Sequence, residues 1–481
     1  MILPVDPVTG VVAVPAIAAV LLALTPGYRL GARLNVGASL VTLLLALALF
    51  VTPQRAGDYL LVDALNIVFI VLNSFVGLTA AWFSASYIAH ELEIGRLTPA
   101  NLRFYHAMYQ AMMFGMNLAL ASNNIGLMWV AVELATLSTV MMVGLYRTPE
   151  ALEAAWKYFI LGSVGIALAL FGTILVYLTA QPVLGEGRDA MLWTKLIGAA
   201  AGFDPMILNL AFVFLLLGYG TKVGLAPLHA WLPDAHAEGP TPISAVLSGL
   251  LLNVALYAVL RFKILMTANG QTLPPGPLMV AMGLVSLIFA ALMLYRRRDI
   301  KRMFAYSSIE HMGIIVFAFG IGGPLANFAA LLHMVMHSLT KSAIFFAVGH
   351  VAQIKGTQKT AMIRGLTHSH PVLGWALVIA VLAIAGLPPF GVFMSEFLVV
   401  SSTFAQAPLL AVLFVAGLLL AFGALVLRLT EVAFGAPSQD VAPLKASLKP
   451  LYAHMALVLV AGLYLPGPMV AWFQAVARLL G

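Results

Sequence analysis

From end to end the sequence returns to apolar runs of about 20 residues separated by short polar links. A run of that length crosses a hydrocarbon core roughly 30 Å thick as a helix, because the bilayer interior offers no water to satisfy backbone groups left open. This repetition prescribes an all-α integral membrane protein. Composition agrees: 62% of residues are hydrophobic and 9% charged, against about 25% charged in a soluble domain. The first run, 11–25, has neither a basic leader nor a small-residue cleavage pattern and is expected to remain as a helix.

The runs resolve into fourteen expected spans, at 11–26, 34–51, 61–89, 104–121, 124–146, 155–179, 205–227, 240–262, 277–295, 303–321, 325–354, 370–402 with a break, 408–434 and 448–476. An even count puts both termini on one side. The links after odd-numbered spans carry Arg29, Arg33, Arg96, Arg103, Arg147, Lys157, Arg296, Arg297, Arg298, Lys301, Arg302, Lys355, Lys359, Arg364, Arg428, Lys445 and Lys449. The opposite links carry only Arg55, Arg188, Lys195, Arg261, Lys263 and Arg478. Basic links stay in the cytoplasm, so the first set is assigned there and both termini to the outer side of a bacterial plasma (inner) membrane. Orientation thus accounts for the formal net charge of +7 without nucleic acid. The run RRRDIKR at 296–302 is read as orientation charge before a docking site, with Asp299 offsetting part of it. The link 181–204, with Glu186, Arg188, Asp189 and Lys195, is read as a solvated loop.

Two basic residues have no place in any link: Lys222 and Lys341. Three acids also fall mid-span, Glu133 in WVAVELATL, Glu310 in AYSSIEHMG and Glu396 in FMSEFLVV. A charge at the bilayer centre costs at least about 2.5–3.5 kcal/mol, so such groups face the bundle interior or water and mark ion paths. A static ion pair or polar clamp between helices is one reading. The other is a proton relay, since a low-dielectric interior disfavours the charged form of amine and carboxyl alike and lets both exchange protons near neutral pH. Five such groups in one chain favour the relay.

In LLHMVMHSLTKSAIFF, His333, His337 and Lys341 recur every four residues and stack on one helix face, about 6 Å apart along the axis. Imidazoles and an amine so placed suit a hydrogen-bonded wire. A zinc reading of the H-x-x-x-H pair lacks the HExxH glutamate and a third ligand, so no metal site is expected. His229 either relays from Lys222 or hydrogen-bonds a freed carbonyl. His350 is either an uptake group or an interfacial histidine. With no cysteine, the chain has no disulfide and no cysteine-ligated iron–sulfur or zinc centre, so no cofactor is expected in it. A free-standing enzyme is the weakest reading, because no G-x-G-x-x-G follows a strand.

Pro227 breaks the seventh span and Gly386-Leu387-Pro388-Pro389-Phe390-Gly391 the twelfth. Paired interruptions point to a transport site in an inverted repeat. Glu133 and Lys222 are separated by 89 residues, Glu310 and Glu396 by 86, which suggests a repeat of about 175 residues with the second copy inverted. The expected organisation is 1–103 (spans 1–3), 104–262 (first repeat, spans 4–8), 277–434 (second repeat, spans 9–13) and 448–481 (span 14).

The run TKVGLAPLHAWLPDAHAEGPTPISAVLSGLL, with DIKRMFAYSSIEHMG, HSLTKSAIFF and GLPPFGVFMSEF, resembles the antiporter-like proton-translocating subunits of NADH-quinone oxidoreductase, multisubunit cation/proton antiporters and membrane-bound nickel–iron hydrogenases. The resemblance covers roughly 60–430, and the stretch from Asn123 to Gly172 looks most like the F component of hydrogenase-4 type complexes. It implies fourteen core helices, inverted repeats over spans 4–8 and 9–13, and a polar axis formed here by Glu133, Lys222 and Glu396, with His333, His337 and Lys341 joining the half-channels. Where relatives read Leu-Leu-Lys on the eighth span, this chain reads Leu251-Leu252-Asn253, and asparagine carries no proton by titrating. Either water and hydrogen-bonded neighbours bridge past Asn253, or the route is altered and pumping weakened. Glu310 and His350 are further relay candidates. The implied partners are other membrane subunits and a soluble hydrogenase or dehydrogenase arm. A sodium/proton exchanger and a structural anchor with a disused path stand as alternatives.

Overall fold

The computed structural model describes residues 6–437 and 447–481; Lys445 lies outside the described residues. In chain order the helices are α1 (Pro7–Leu24), α2 (Tyr28–Ala48), α3 (Ala64–Glu93), α4 (Pro99–Ala121), α5 (Ile125–Val143), α6 (Pro149–Leu184), α7 (Trp193–Ala199), α8 (Pro205–Val223), α9 (Trp231–Glu238) and α10 (Thr241–Val246). They continue as α11 (Leu252–Asn269), α12 (Gly276–Leu294), α13 (Ile300–Ile321), α14 (Gly323–Lys355), α15 (Leu366–Ser369), α16 (Pro371–Ile384), α17 (Gly391–Gln406), α18 (Pro408–Ala433), α19 (Lys449–Leu463) and α20 (Gly467–Leu479). A π-helical turn, Leu247–Leu251, joins α10 to α11 without interruption.

Local chemistry sets where many helices start. Proline opens α1, α4, α6 and α8 directly behind Asp6, Thr98, Thr148 and Asp204, whose side-chain oxygens accept the N–H groups that the first turn leaves free. Asp63 and Asn66 form a reciprocal capping box on α3. Asp299 caps α13 by accepting from Arg302 N at 2.9 Å. Packing then sorts the helices. The Thr241–Asn269 and Gly323–Lys355 spans run through the middle, walled by protein, while α1, α2 and α18 leave most of their surface outward. Small residues permit close crossings, as at Gly218, where a Cβ would strike the backbone of Gly165 and Ala169 on α6.

Among the described residues, eleven helices are long and apolar enough to cross a membrane singly, or twelve if one bent pair counts as a span. Three expected spans stand outside the eleven. α4 is a 23-residue helix but carries the buried polar residues His106, Gln110 and Asn117. The twelfth span is divided into α16 and α17. The fourteenth, expected as one helix over 448–476, is two, α19 and α20, meeting at 82° across Tyr464-Leu465-Pro466, with Pro468 in the first turn of α20. α20 then folds against the bundle: Trp472 Nε1 donates to Ala64 O at 2.9 Å and Asn327 Nδ2 to Gly481 O at 2.6 Å.

Loops expected on one face do meet. Leu60 bridges to Ser122 and Asn124 to Leu192 on one side, and Asp299 to Lys359 on the other. The 181–204 link is not merely a solvated loop. It contains α7, buries Trp193, and pairs Arg188 with Asp58 at 2.8 Å and Lys195 with Asp189 at 2.5 Å. The Lys195 ammonium holds the Asp189 carboxyl below its ordinary range.

Three basic residues assigned to links are instead buried. Arg261 pairs with Asp63 at 2.6 Å and lies over the Trp193 and Tyr257 rings. Lys263 donates to Leu480 O, and Lys301 donates to Ala237 O and Gly239 O at 2.9 and 2.6 Å. Lys301 sits in the first turn of α13, while Arg261 and Lys263 lie inside α11, which runs past the expected end at 262 to Asn269; the buried cations number five among the described residues, not two. In the same cluster Arg302 pairs with Asp234 and Glu238 at 3.3 and 3.2 Å, so part of the RRRDIKR charge is spent inside the chain.

Both broken spans are interrupted as expected, but not first by proline. α8 stops at Gly224, whose φ of +79° lets Leu225 N return to Gly220 O at 3.0 Å. α16 stops in the same way at Gly386, φ +72°, with Leu387 N returning to Leu382 O at 3.2 Å. The two breaks therefore share a four-residue pattern, Gly224-Leu225-Ala226-Pro227 and Gly386-Leu387-Pro388-Pro389, and the peptide bond before the last proline is cis in each.

Candidate functional site

The first group of polar side chains lies where α8 ends. Lys222, in its last turn, is favoured there by the carbonyls at the helix C-terminus. Its Nζ is 2.9 Å from Glu133 Oε2 on α5 and donates to Thr136 Oγ1 at 3.0 Å. A Cβ at Gly162 would stand 3.1 Å from that ammonium, so α6 closes over it. The pair is lopsided: the Lys222 side chain is 1% exposed and that of Glu133 17%. Glu133 is thus not enclosed within the chain, as its mid-span position suggested, but borders its surface.

The break is less open than a proline alone would leave it. Trp231 Nε1 donates to Thr221 O at 2.8 Å, and Ala226 N donates to Ser286 Oγ at 2.9 Å. One carbonyl freed at the break, Thr221 O, is thus taken by Trp231. His229 packs instead on Phe289, centroids 4.7 Å apart.

Beyond the π-helical turn, Asn253 is buried and donates through Nδ2 to Ser338 Oγ at 2.6 Å, joining α11 to α14. Its Oδ1 has no partner. Ser248 and Ser308 share a hydrogen bond at 2.7 Å, and Ser342 donates to Ala245 O at 3.3 Å. All four serines are buried. A hydroxyl-rich seam thus occupies the position beside Asn253.

The second group gathers between α13, α14 and α17. His333 shares a hydrogen bond with His311 at 3.0 Å and another with Ser395 at 2.9 Å. The expected stack along α14 is completed by a residue of α13: the His311 ring lies 5.2 Å from that of His333 and 5.5 Å from that of His337. Lys341 Nζ donates to Phe304 O at 3.0 Å, and Glu310 Oε1 lies 4.0 Å from His311 Nε2. Glu396 sits directly on the second break, its carboxylate filling the space that a Cβ would need at Gly386. Ligand atoms of His311, His333 and Glu396 all lie within 4.8 Å of one another and could hold a metal ion. The third ligand that the sequence around His333 and His337 lacks comes from other helices, and His337 is not part of the set.

His350 is buried, with the edge of Phe83 5.0 Å away. Sequence reasoning missed further buried groups. His311 had a visible signal, since it adjoins Glu310 inside an apolar span. His236, buried and stacked on Phe345, sits in a stretch polar enough to read as loop. Glu91 and Arg96 look like a cytoplasmic link, yet Glu91 is fully buried. His454 bridges Thr79 Oγ1 and Leu339 O at 2.7 and 2.9 Å from a span read as plain.

Residues 122–421 match the family model described as NADH:quinone oxidoreductase/Mrp antiporter, TM. The chain belongs to this family of membrane subunits. It is 64% identical over 471 residues to a hydrogenase-4 component F homolog of Methylacidiphilum infernorum, covering 98% of this chain and 99% of that one. It is 31% identical to NADH-quinone oxidoreductase subunit N of Desulforudis audaxviator, over 77% of this chain and 72% of the relative. The fold is that of a chain of an archaeal membrane-bound sulfane sulfur reductase, TM-score 0.87 at 23% identity, covering 99% and 98% of the two chains. It is also that of a chain of the Mrp complex from Dietzia sp., TM-score 0.84 at 19% identity, covering 98% and 96%. The family expected from the sequence motifs is therefore the family found.

Proposed function

We propose that this chain is the proton-translocating membrane subunit of a hydrogenase-4 type complex in a bacterial inner membrane. Its partners are other membrane subunits and a soluble hydrogenase arm, electrons run in those partners, and the chain itself holds no cofactor. The arginine-rich face is cytoplasmic and both termini lie outside. The 64% identity to a hydrogenase-4 component F homolog favours this over a quinone-reductase subunit, where the identity is 31%.

The single observation that carries the reading is the Lys222–Glu133 pair at the first break, mirrored by Glu396 at the second. With the pair closed, Glu133 holds Lys222 protonated. When a neighbouring subunit draws on the exposed side of Glu133, the amine loses its counter-ion and releases its proton. The seam of Asn253, Ser338, Ser248 and Ser308 supports passage past the asparagine by hydroxyls and water. His337, Lys341, Glu310, His311 and His333 then hand the proton to Glu396. The shared Gly-Leu-x-Pro pattern supports 104–262 and 277–434 as inverted repeats.

The test is proton translocation by the assembled complex in vesicles. Lys222→Ala is expected to abolish it while assembly persists. Translocation at the native rate in that variant excludes the mechanism.

A further inference from the structure

We propose that Glu91 is the uptake group of a proton port opening on the arginine-rich face, an inference that rests on the proton-translocating reading above. A cavity of about 210 Å³ lies there, bounded by Tyr87, Glu91, Arg96, Tyr146, Lys301 and Gln353. Since a water takes about 30 Å³ of liquid volume, it has room for several. Glu91, near the end of α3, has no solvent exposure yet lines this space.

Its two oxygens are treated differently. Oε1 accepts from Gln353 Nε2 at 3.1 Å, which ties the carboxylate to α14. Oε2 pairs with Arg96 Nη1 at 3.6 Å, and the Arg96 side chain is 58% exposed. A clamp whose only work was to join α3 to α14 would need no partner that reaches solvent. A buried carboxylate tied on one side to an exposed guanidinium and bordering a cavity with room for water suits a group that takes up a proton from that face.

From the inner wall a line of groups leads toward the second cluster. Lys301 Nζ donates to Ala237 O, the carbonyl next in the chain to His236. Both ring nitrogens of His236 lack partners, and its ring stacks on Phe345 at 4.8 Å, one turn along α14 from Lys341. Lys341 in turn donates to Phe304 O, one turn along α13 from Lys301. A hydronium in the cavity gives its proton to Glu91 and becomes water; the carboxylic acid returns the proton to a water on its inner side, toward His236 and Lys341.

The chain has no cysteine, so a single introduced thiol marks one site in it. The intact complex is reconstituted in vesicles with Glu91→Gln, Glu91→Asp or Thr357→Cys, the last lining the cavity. Proton flux is expected to fall at least about tenfold in Glu91→Gln and to be retained in Glu91→Asp. A membrane-impermeant thiosulfonate is expected to block Thr357→Cys from the arginine-rich face only, against an unsubstituted complex treated alike. Native flux in Glu91→Gln, or in the labelled Thr357→Cys complex, overturns the port, and if Glu91→Gln fails to assemble the labelled cysteine decides. Lys222→Ala measured alongside separates the two levels. Flux lost there but kept in Glu91→Gln sinks the port alone, whereas flux kept in both sinks the proton-translocating reading with it.

Discussion

Lys222 and Glu133 stand 2.9 Å apart with their solvent exposure divided unequally, the amine sealed inside the chain and the carboxylate bordering its surface. Whatever binds that surface can act on the acid without touching the base. Removing one partner of a buried ion pair costs about 3–5 kcal/mol, because the other charge is left uncompensated. Glu133→Gln is therefore expected to lower both the melting temperature of the complex and its proton flux. Adding Lys222→Met should restore the melting temperature and not the flux. Flux recovered in the double variant would show that the pair is a structural clamp.

The second break makes a sharper steric prediction. Gly386 combines φ +72° with a carboxylate where its Cβ would be, whereas a Cβ at Gly224 meets only the Leu232 side chain, at 3.2 Å. Both alanine variants bear the left-handed backbone cost of about 1–2 kcal/mol. Only Gly386→Ala also displaces Glu396. Its flux is expected to fall well below that of Gly224→Ala at similar melting temperatures, and equal fluxes would remove Glu396 from the path.

On the proposed route Asn253 lies between the two clusters. Asn253→Ala takes away the bond to Ser338, a loss of about 0.5–1.5 kcal/mol for one hydrogen bond, since Ser338 still donates to Met334 O at 2.8 Å. If the seam lies on the route, a penalty near 1.4 kcal/mol on the barrier slows flux about tenfold. Unchanged flux in a stopped-flow dye assay would mean that protons do not cross here.

Arg261 is the contrasting case of a buried charge kept for architecture. It pairs with Asp63, whose other task is to cap α3. Arg261→Met is expected to destabilise the complex by roughly 3–5 kcal/mol, with flux per assembled complex unchanged. Chemical denaturation and flux on the same preparation check both halves, and a selective loss of flux would move Arg261 into the transport path.

Much of the candidate site could be read from residue types alone. Lys222, Lys341, Glu133 and Glu396 stand out because a charge inside an apolar run has no local explanation. Reading failed where polarity was ambiguous by position. Arg261, Lys263 and Lys301 lie near the ends of expected spans, where a solvated link and a buried partner look alike in one dimension. Proline is a helix breaker by type, but the glycine three residues earlier ends each helix only through its left-handed backbone, which composition does not reveal.

By itself the sequence determined the membrane class, the two interruptions and the burial of Lys222, Lys341 and Glu310, since these follow from the composition of single segments about one span long. Only the tertiary structure decided which of those groups meet. His311 joins His333 and His337, Asn253 reaches Ser338, and Arg261 finds Asp63 from segments 22 to about 200 residues apart. Contacts at 2.6–3.0 Å depend on how helices cross and rotate against one another, and no periodicity within a single helix encodes that.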